Sequence, residues 1–459
     1  MPDHHISAEL LQRYDRPGPR YTSYPTAVEF HEGFTARDYV ARLRGLTPEQ
    51  PLSLYIHLPF CQHRCTFCGC NVIITPRREV AAAYLEKLER ELDLLCRELP
   101  PRPGVLQYHW GGGTPTYYAP EQLHWLHERV AERFRLLPGA EIAVEVDPRV
   151  TSREHIDLLA ELGFNRLSMG VQDFTPQVQE AIGRNQDEES TRRLYEYCRQ
   201  KRIESLNIDL IYGLPQQEPE SFARNLASVL LLRPDRVALY SYAHVPWIKG
   251  HQKRIDVARL PRGMAKLELF AQAIRAFLAS GYAQIGMDHF ALPDDELCHA
   301  MAERRLHRNF MGYTVHRTAN MIGLGISAIG DVAGAYAQNV KKLSTYYRAL
   351  DAGEMPVERG YALSADDHVR RSVITELMCN AFLRWADVEE RFGIRFADYF
   401  ALELKELASG PVADGLLVIR DGELEATDQG RLFIRNIAMT FDRYLREKQR
   451  DTPTFSRTV

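Results

Sequence analysis

The sequence predicts an α/β fold built on a mostly parallel β-sheet. Apolar, strand-like runs alternate with helical patterns from about residue 52 to 292, and residues suited to chemistry recur just after the strands. Repeated strand–helix units imply parallel strands joined by right-handed crossovers. Either a barrel-like or an open doubly wound sheet would satisfy this pattern. In both, ligands bind at the carboxyl ends of the strands.

The predicted strands are short runs rich in apolar, branched and aromatic residues. They are SLYIHLPF (53–60), VLQYHW (105–110), EIAVEV (141–146), RLSMGV (166–171), SLNIDLIY (205–212), RVALYSYA (236–243) and AQIGMDHF (283–290). The clearest helix is 78–99, where Tyr84, Leu88 and Leu92 recur at helical spacing. Further helices are predicted at 120–135, 152–162, 188–200, 219–232 and 264–280.

The first 50 residues are polar and rich in Pro, Gly and Tyr. Pro17, Pro19 and Pro25 interrupt any helix in the stretch 14–27, because proline lacks the backbone donor and restricts its predecessor. We therefore expect an ordered arm, with tyrosines suited to lie over a site. A surface tail is the alternative.

The strand–helix alternation stops beyond about residue 360, and 365–450 is predicted to be mostly helical. A short strand pair is expected at 415–427, where Asp421-Gly422 indicates a hairpin turn. The predicted domains are an N-terminal arm over the active site (1–50), a catalytic domain (51–355) and a small, mostly helical C-terminal domain (356–459).

The composition indicates an ordinary globular protein. The 459 residues are 45% hydrophobic, which is enough for a sizeable core. The formal net charge of −4 argues against a general nucleic-acid binder. The first ten residues do not resemble a secretory signal, and no run approaches the ~18 apolar residues of a membrane span. We expect a cytoplasmic monomer that binds neither nucleic acid nor membrane.

Four of the eight cysteines, Cys61, Cys65, Cys68 and Cys70, lie within ten residues. Such a tight loop is typical of a ligand site, since disulfide frameworks spread their cysteines across short secreted chains. Three thiolates at this spacing can hold three irons of a cubane cluster and leave the fourth iron open for chemistry. A zinc site, a structural cluster with Cys70 as fourth ligand and a redox thiol remain alternatives.

Other candidate functional residues follow the predicted strands. They are Gly111, Gly112, Gly113 and Thr114, then Glu145 and Asp147, Gln172 and Asp173, Asp209 and Tyr212, and Ala243 and His244. Since parallel strands end at one edge of a sheet, these residues should meet at a single site. Each has a structural alternative. The glycines could form a tight turn, for example, and Glu145 could cap the next helix.

The motifs together resemble the radical S-adenosylmethionine superfamily. More narrowly, they resemble the oxygen-independent coproporphyrinogen III oxidases of haem biosynthesis. The matching segments run nearly end to end: YDRPGPRYTSYPT, IHLPFCQHRCTFCGCN, HWGGGTPT, EVDP, FNRLSMGVQDF, NIDLIYGLP, YAHVP, GMDHFA, LHRNFMGYT and FSR. Cys70 and the Tyr/Pro-rich arm favour this family over the related haem-trafficking proteins.

The resemblance implies a partial (β/α) barrel of the radical S-adenosylmethionine type. It also implies a [4Fe–4S] cluster on Cys61, Cys65 and Cys68 that cleaves S-adenosylmethionine to a 5′-deoxyadenosyl radical. Hydrogen abstraction from two propionates of coproporphyrinogen III, with loss of CO2 and one electron from each, would give the vinyl groups of protoporphyrinogen IX. An electron-donor protein is an expected partner. A haem chaperone on the same scaffold and another radical enzyme, such as a methylase, are the rival functions.

Further roles follow from the resemblance alone. The positions that match contacts to the cluster-bound S-adenosylmethionine are Tyr55, Gly112, Glu145 and Ile329. Those that match a second S-adenosylmethionine are Phe67, Gly113, Thr114, Gln172, Arg184, Asp209 and Ala243. Cys70 would act in the radical step or lie beside the second cofactor, with an inert thiol as the alternative. The candidates to bind the substrate carboxylates are Arg16, Arg20, Arg308 and Arg317.

Overall fold

The structure, a computed structural model, describes residues 7–448 and 454–458. These residues divide into two units. The cysteine-loop unit consists of Glu29–Leu210 and His316–Leu363, and the terminal unit is drawn from Met1–Val28, Ile211–Val315 and Ser364–Val459.

The strands of the described residues are two to twelve residues long. They are β1 (Leu52–Leu58), β2 (Phe60–Cys61), β3 (Ile73–Ile74), β4 (Gly104–Gly112), β5 (Arg135–Val146), β6 (Arg166–Gln172), β7 (Ser205–Tyr212), β8 (Arg236–Ser241), β9 (Ala283–Ile285), β10 (His289–Ala291), β11 (His307–Asn309), β12 (Gly312–Thr314), β13 (Asn320–Leu324), β14 (Ile329–Val332), β15 (Ala335–Asn339), β16 (Val357–Ala362), β17 (Phe382–Arg384), β18 (Leu417–Arg420) and β19 (Glu423–Ala426).

The helices lie between the strands and dominate the C-terminal region. They are α1 (Ala8–Tyr14), α2 (Ala36–Leu43), α3 (Arg78–Cys96), α4 (Pro120–Arg133), α5 (Arg153–Glu161), α6 (Pro176–Ile182), α7 (Glu188–Gln200), α8 (Pro219–Leu232), α9 (Met264–Ala279), α10 (Glu296–Ala302), α11 (Leu343–Asp351), α12 (Ala365–Asn380), α13 (Trp385–Phe392), α14 (Phe396–Tyr399), α15 (Ala401–Leu407), α16 (Asp428–Leu432), α17 (Ile434–Met439) and α18 (Arg443–Glu447). No described helix has both the length and the apolar character that a membrane span requires.

The sheet of the cysteine-loop unit has the strand order β16-β15-β14-β13-β1-β4-β5-β6-β7. The six strands from β13 to β7 in this order pair in parallel, and β14, β15 and β16 extend the β13 edge antiparallel. Helices follow most of the parallel strands, as right-handed crossovers require. This arrangement confirms the predicted α/β class with mostly parallel strands.

The two faces of this sheet differ because side chains alternate along each strand. One face is apolar: Leu54 and Ile56 on β1 and Trp110 on β4 are fully buried. Burying one such side chain contributes about 1.5–3 kcal/mol. The opposite face is polar and internally hydrogen-bonded. For example, the Ser53 hydroxyl donates to Gln107 Oε1 at 2.6 Å. The apolar face holds the core, and the polar face is available for a site.

In the terminal unit, β8, β10 and β9 form an antiparallel set. The single strand predicted at 283–290 is therefore wrong. The segment 283–290 forms a hairpin of β9 and β10, because the chain reverses at Gly286, whose φ is +55°. The Met287 N–H at this turn donates to the Tyr313 hydroxyl at 3.1 Å, which holds the reversal in place.

The C-terminal region is mostly helical, from α12 to α18, and confirms that prediction. The hairpin of β18 and β19 is present as expected. Asp421 and Gly422 both have the positive φ that its two-residue turn requires. Sequence patterns missed β17, which pairs with β19.

The arm has no helix between α1 and α2 within the described residues. Inside the terminal unit it is held by the C-terminal segment: the Tyr21 hydroxyl donates to Asp442 at 2.9 Å, and Arg435 Nε donates to the Pro19 carbonyl at 3.1 Å. The domain limits at 50 and 355, and the position of the arm over the active site, stay predictions.

Candidate active site

Cys61 ends β2, and Cys65, Cys68 and Cys70 lie in the loop between β2 and β3, which pair in parallel and close the loop at its base. The Ile73 N–H donates to the Pro59 carbonyl at 2.8 Å, so both ends of the loop are tied to the end of β1. Cys65 is buried, Cys61 and Cys68 are half-buried, and Cys70 is exposed. Phe67 is half-buried within the same loop. The loop thus presents several thiols at the carboxyl edge of the sheet.

Each thiol has a distinct environment. Cys61 Sγ lies 3.3 Å from the Thr114 hydroxyl. Cys65 Sγ accepts from Arg149 Nη2 at 3.6 Å and from Arg184 Nη1 at 3.7 Å. A hydrogen bond with Cys68 raises the pKa of Cys70, so these two thiols are neighbours. No group of three or more His, Cys, Asp or Glu among the described residues is arranged to hold a single metal ion.

The glycine run at the end of β4 brings backbone close to the base of the loop. Gly112 has a φ of +111°, and a Cβ there would lie 2.3 Å from His57 Nδ1. A Cβ on Gly113 would lie 2.5 Å from the Pro59 carbonyl carbon. Only glycine fits such contacts without displacing its neighbours.

Glu145, at the end of β5, is joined to this glycine run. Its Oε2 accepts from the Gly112 N–H at 3.2 Å, and its Oε1 accepts from His109 Nε2 at 3.3 Å. Burial would raise the pKa of Glu145, but the His109 and Gly112 hydrogen bonds outweigh it and hold the pKa below its ordinary value. The carboxylate is therefore ionised and able to accept from a cationic ligand.

Tyr55 completes this group. Its ring stacks on that of His109 with centroids 5.8 Å apart. Burial lowers the pKa of His57, so the ring is neutral at physiological pH. His57 Nε2 donates to the Asn71 carbonyl at 2.9 Å, which leaves Nδ1 to accept from the Tyr55 hydroxyl at 3.0 Å. His57 thereby links the end of the cysteine loop to Tyr55.

Asp147 binds two arginines beside Cys65. Its Oδ2 accepts from Arg149 Nη2 at 2.6 Å and from Arg184 Nη1 at 3.1 Å. Burial opposes ionisation, but the charge of Arg184 and the Arg149 hydrogen bond hold the pKa of Asp147 below its ordinary value. A cavity of about 420 Å³ adjoins this group, lined by Cys61, Gln62, His63, Thr114, Asp147, Arg149, Val150, Gly183 and Asn185.

Asp209, on β7, accepts from Ser168 at 3.0 Å and from Asn207 at 2.7 Å. Burial, and next the negative charge of Glu145, raise its pKa to about 7. Gln172, at the end of β6, has a φ of +70°, and its buried Oε1 has no hydrogen-bond partner among the described residues. An unsatisfied buried acceptor of this kind suits a polar ligand.

The structure brings most of the predicted site residues to one edge of the cysteine-loop unit. Ile329 is half-buried on β14, where it pairs with Gln338. Ala243 lies in the terminal unit, where its carbonyl accepts from Gln252 Nε2 at 3.2 Å. Sequence reasoning did not select His57, His109 or Arg149. The sequence signals for these three residues were weak. His57 and His109 each lie within a predicted strand, and Arg149 follows Asp147 by two residues.

Comparison with known proteins identifies the family. The Radical SAM superfamily profile matches residues 55–227, and the HemN C-terminal domain profile matches 363–433. The oxygen-independent coproporphyrinogen III oxidase of Escherichia coli is 47% identical over 98% of both chains. The chain belongs to this family. The Pseudomonas aeruginosa member is 45% identical over 98% of both chains. The solved structure of the Escherichia coli coproporphyrinogen III oxidase, described as a Radical SAM enzyme, matches with a TM-score of 0.89. That match has 46% identity and covers 92% of this chain and 97% of the other.

Family membership confirms the predicted radical S-adenosylmethionine fold and the predicted cofactor classes, a [4Fe–4S] cluster and S-adenosylmethionine. The residues present fit these groups. Cysteine thiols are the soft ligands that iron–sulfur clusters require. The ionised Glu145, the glycine backbone and the unsatisfied Gln172 Oε1 suit the polar groups of S-adenosylmethionine. The roles of individual site residues stay predictions.

Proposed function

We propose that this protein converts coproporphyrinogen III to protoporphyrinogen IX by oxidative decarboxylation of two propionate side chains. One observation carries the proposal: the clustered cysteines lie at the sheet edge that also holds the ionised Glu145, whose charge acts on Cys70. The chain is also 47% identical, over 98% of its length, to a coproporphyrinogen III oxidase. When bound, the cluster and S-adenosylmethionine supply the 5′-deoxyadenosyl radical that removes a hydrogen from the propionate β-carbon.

We assign Cys61, Cys65 and Cys68 as cluster ligands. Glu145 would accept from the ammonium or ribose of the first S-adenosylmethionine, since it is held ionised. The Gly112 backbone would approach the methionyl end, because no side chain intervenes. In this assignment Tyr55 packs beside the bound cofactor and Ile329 forms an apolar wall for the adenine.

The remaining matched positions are assigned to a second S-adenosylmethionine: Phe67, Gly113, Thr114, Gln172, Arg184, Asp209 and Ala243. The open acceptor of Gln172 and the raised pKa of Asp209 support this assignment, because both groups gain from a polar partner. Two decarboxylations consume two molecules of S-adenosylmethionine. Cys70 is assigned to the radical step, since it is exposed and lies beside Cys68.

The terminal unit contains cations suited to a tetracarboxylate substrate. Arg20 Nη2 donates to the Ser241 carbonyl at 2.8 Å, and Arg308 Nη1 donates to the Arg20 carbonyl at 2.8 Å. The buried Arg308 Nε has no hydrogen-bond partner among the described residues. The open Nε of Arg308 supports its assignment as a carboxylate ligand, because arginine binds carboxylates with two donors.

We further propose a cytoplasmic monomer that takes electrons from a partner protein. Thiol ligands need a reducing compartment, and each cleavage of S-adenosylmethionine needs one electron. Cell fractionation and sedimentation of the holoenzyme test the location and the monomer. Pull-down with the reduced holoenzyme as bait tests for an electron donor.

The central experiment incubates the reduced, reconstituted protein with S-adenosylmethionine and coproporphyrinogen III under anaerobic conditions. We expect 5′-deoxyadenosine together with the monovinyl intermediate and protoporphyrinogen IX. Formation of 5′-deoxyadenosine without any vinyl product would contradict the proposed substrate. Purified protein that carries one zinc and no sulfide would contradict the cluster.

A further inference from the structure

The sulfur of Cys65 lies against two arginine side chains. This Sγ accepts from Arg149 Nη2 at 3.6 Å and from Arg184 Nη1 at 3.7 Å. The side chains of Arg184 and Asp147 are only 7% and 11% exposed, so water screens little of the charge. By contrast, Cys61 Sγ faces the neutral hydroxyl of Thr114.

Asp147 fixes the orientation of both guanidinium groups. Arg149 donates to it from Nε at 3.0 Å and from Nη2 at 2.6 Å, and Arg184 donates from Nη1 at 3.1 Å. Arg184 also donates to the Gly170 carbonyl. Two cations and one carboxylate leave one net positive charge beside the Cys65 sulfur. This arrangement is more than a simple ion pair, which would need only one arginine.

We infer that Arg149, together with Arg184, raises the reduction potential of the cluster by donating hydrogen bonds to the Cys65 sulfur, and that Asp147 positions both arginines. The inference rests on the proposed function, since it takes Cys65 as a cluster ligand. Arg149 and Asp147 are therefore positioning residues that act through Cys65.

The physical reason is the charge that reduction adds. One electron makes the cluster and its thiolates more negative. A nearby cation, or a donor to a ligand sulfur, therefore stabilises the reduced form more than the oxidised form. Because the surroundings are largely buried, this electrostatic stabilisation is stronger than it would be in water. A higher potential makes the cluster easier for its electron donor to reduce.

The test measures the midpoint potential of the reconstituted full-length protein without S-adenosylmethionine. Dithionite titration is followed through the electron paramagnetic resonance signal of the reduced cluster. For Arg149→Met we expect at least a tenfold smaller equilibrium constant for reduction, which corresponds to a shift of about 59 mV to more negative potential. Arg149→Lys should shift the potential less, because it keeps the charge but loses the forked geometry.

Asp147→Asn should shift the potential in the opposite direction, because it removes a negative charge from beside the cluster and keeps an amide oxygen that can accept from the arginines. A purely structural role would not give opposite signs for these two variants. The matched control is Arg153→Met, since Arg153 is exposed and lies 4.9 Å from the centre of the Tyr197 ring. Its potential should equal that of the parent.

Iron and sulfide analysis accompanies every titration. A loaded Arg149→Met variant with the parent's potential overturns the inference. If that variant loses iron, Arg149→Lys and Asp147→Asn decide: opposite shifts support the inference, and equal or absent shifts overturn it. A parent protein without iron and sulfide would contradict the proposed function instead.

Discussion

The Glu145 carboxylate accepts a hydrogen bond from the backbone N–H of Gly112 at 3.2 Å. This contact joins the end of β5 to the end of β4. It places an ionised acceptor directly beside a stretch of backbone that has no side chain. The two features suit a ligand in which a cationic group lies next to a chain that approaches the backbone closely.

Gly112→Ala should lower the rate of 5′-deoxyadenosine formation at least tenfold. The new Cβ would lie 2.3 Å from the buried His57 ring, and an L residue at a φ of +111° costs roughly 1–3 kcal/mol. Gly163→Ala is the matched control, because Gly163 has a φ of +81° and a Cβ added there would meet no atom within 4 Å. It should lower the melting temperature without changing the rate. Equal rates for the two variants would contradict a role of this close approach.

His109→Phe should move the acidic limb of the pH–rate profile to higher pH. The phenyl ring preserves the stack on Tyr55 but removes the hydrogen bond that holds the pKa of Glu145 down. The measurement is 5′-deoxyadenosine formation against pH. His124→Phe, at a half-exposed histidine on α4, should leave the profile unchanged. An unshifted profile for His109→Phe would show that Glu145 does not control this limb.

Asp209→Asn should stabilise the cofactor-free protein by roughly 1–3 kcal/mol at pH 8 and by less at pH 5. The pKa of Asp209 is raised from 3.8 to about 7, so the folded protein binds this proton more tightly than the unfolded chain does. Folding therefore becomes less favourable as the pH rises from about 4 to 7, and the cost is constant above that range. Urea unfolding at both pH values measures the difference.

The control for this prediction is Asp157→Asn. Asp157 is paired with Lys201 and its pKa is lowered, so its loss should slightly destabilise the protein at both pH values. If Asp209→Asn also destabilises the cofactor-free protein, the buried carboxyl group does not lower the free energy of unfolding, and the prediction is wrong. We expect Asp209→Asn to weaken binding of S-adenosylmethionine, which equilibrium dialysis measures separately.

Cys70→Ser should retain the parent's iron and sulfide but lose turnover of coproporphyrinogen III. Cys70 is exposed and follows Cys68 after a single glycine, which makes it a strained fourth ligand. Serine at Cys61, Cys65 or Cys68 should instead abolish cluster loading. Loss of iron from Cys70→Ser would favour a four-cysteine structural cluster.

Local sequence patterns were sufficient to predict the cysteine loop and the parallel sheet. They also predicted that Gly112, Glu145 and Asp209 lie at the edge of this sheet. These features depend on side-chain period and on residue spacing, which are properties of short segments. The hairpin at Asp421-Gly422 belongs to the same class, because turn chemistry is local.

Strand register, in contrast, is a property of the folded sheet. β1 pairs with β4 so that Tyr55 is opposite His109, and β4 pairs with β5 so that His109 reaches Glu145. No period in either strand predicts which residues of two separate strands will face each other, because register is set by packing between segments distant in the chain. The error at 283–290 has a similar cause, since its reversal is held by Tyr313 from elsewhere in the sequence.

The sequence by itself therefore determined which chemical groups this protein carries and at which edge of the sheet they occur. Only the tertiary structure decided their electrostatic state: the ionised Glu145, the raised pKa of Asp209, and the two arginines beside Cys65. Burial and neighbouring charge set these properties, and both arise only when distant segments pack together.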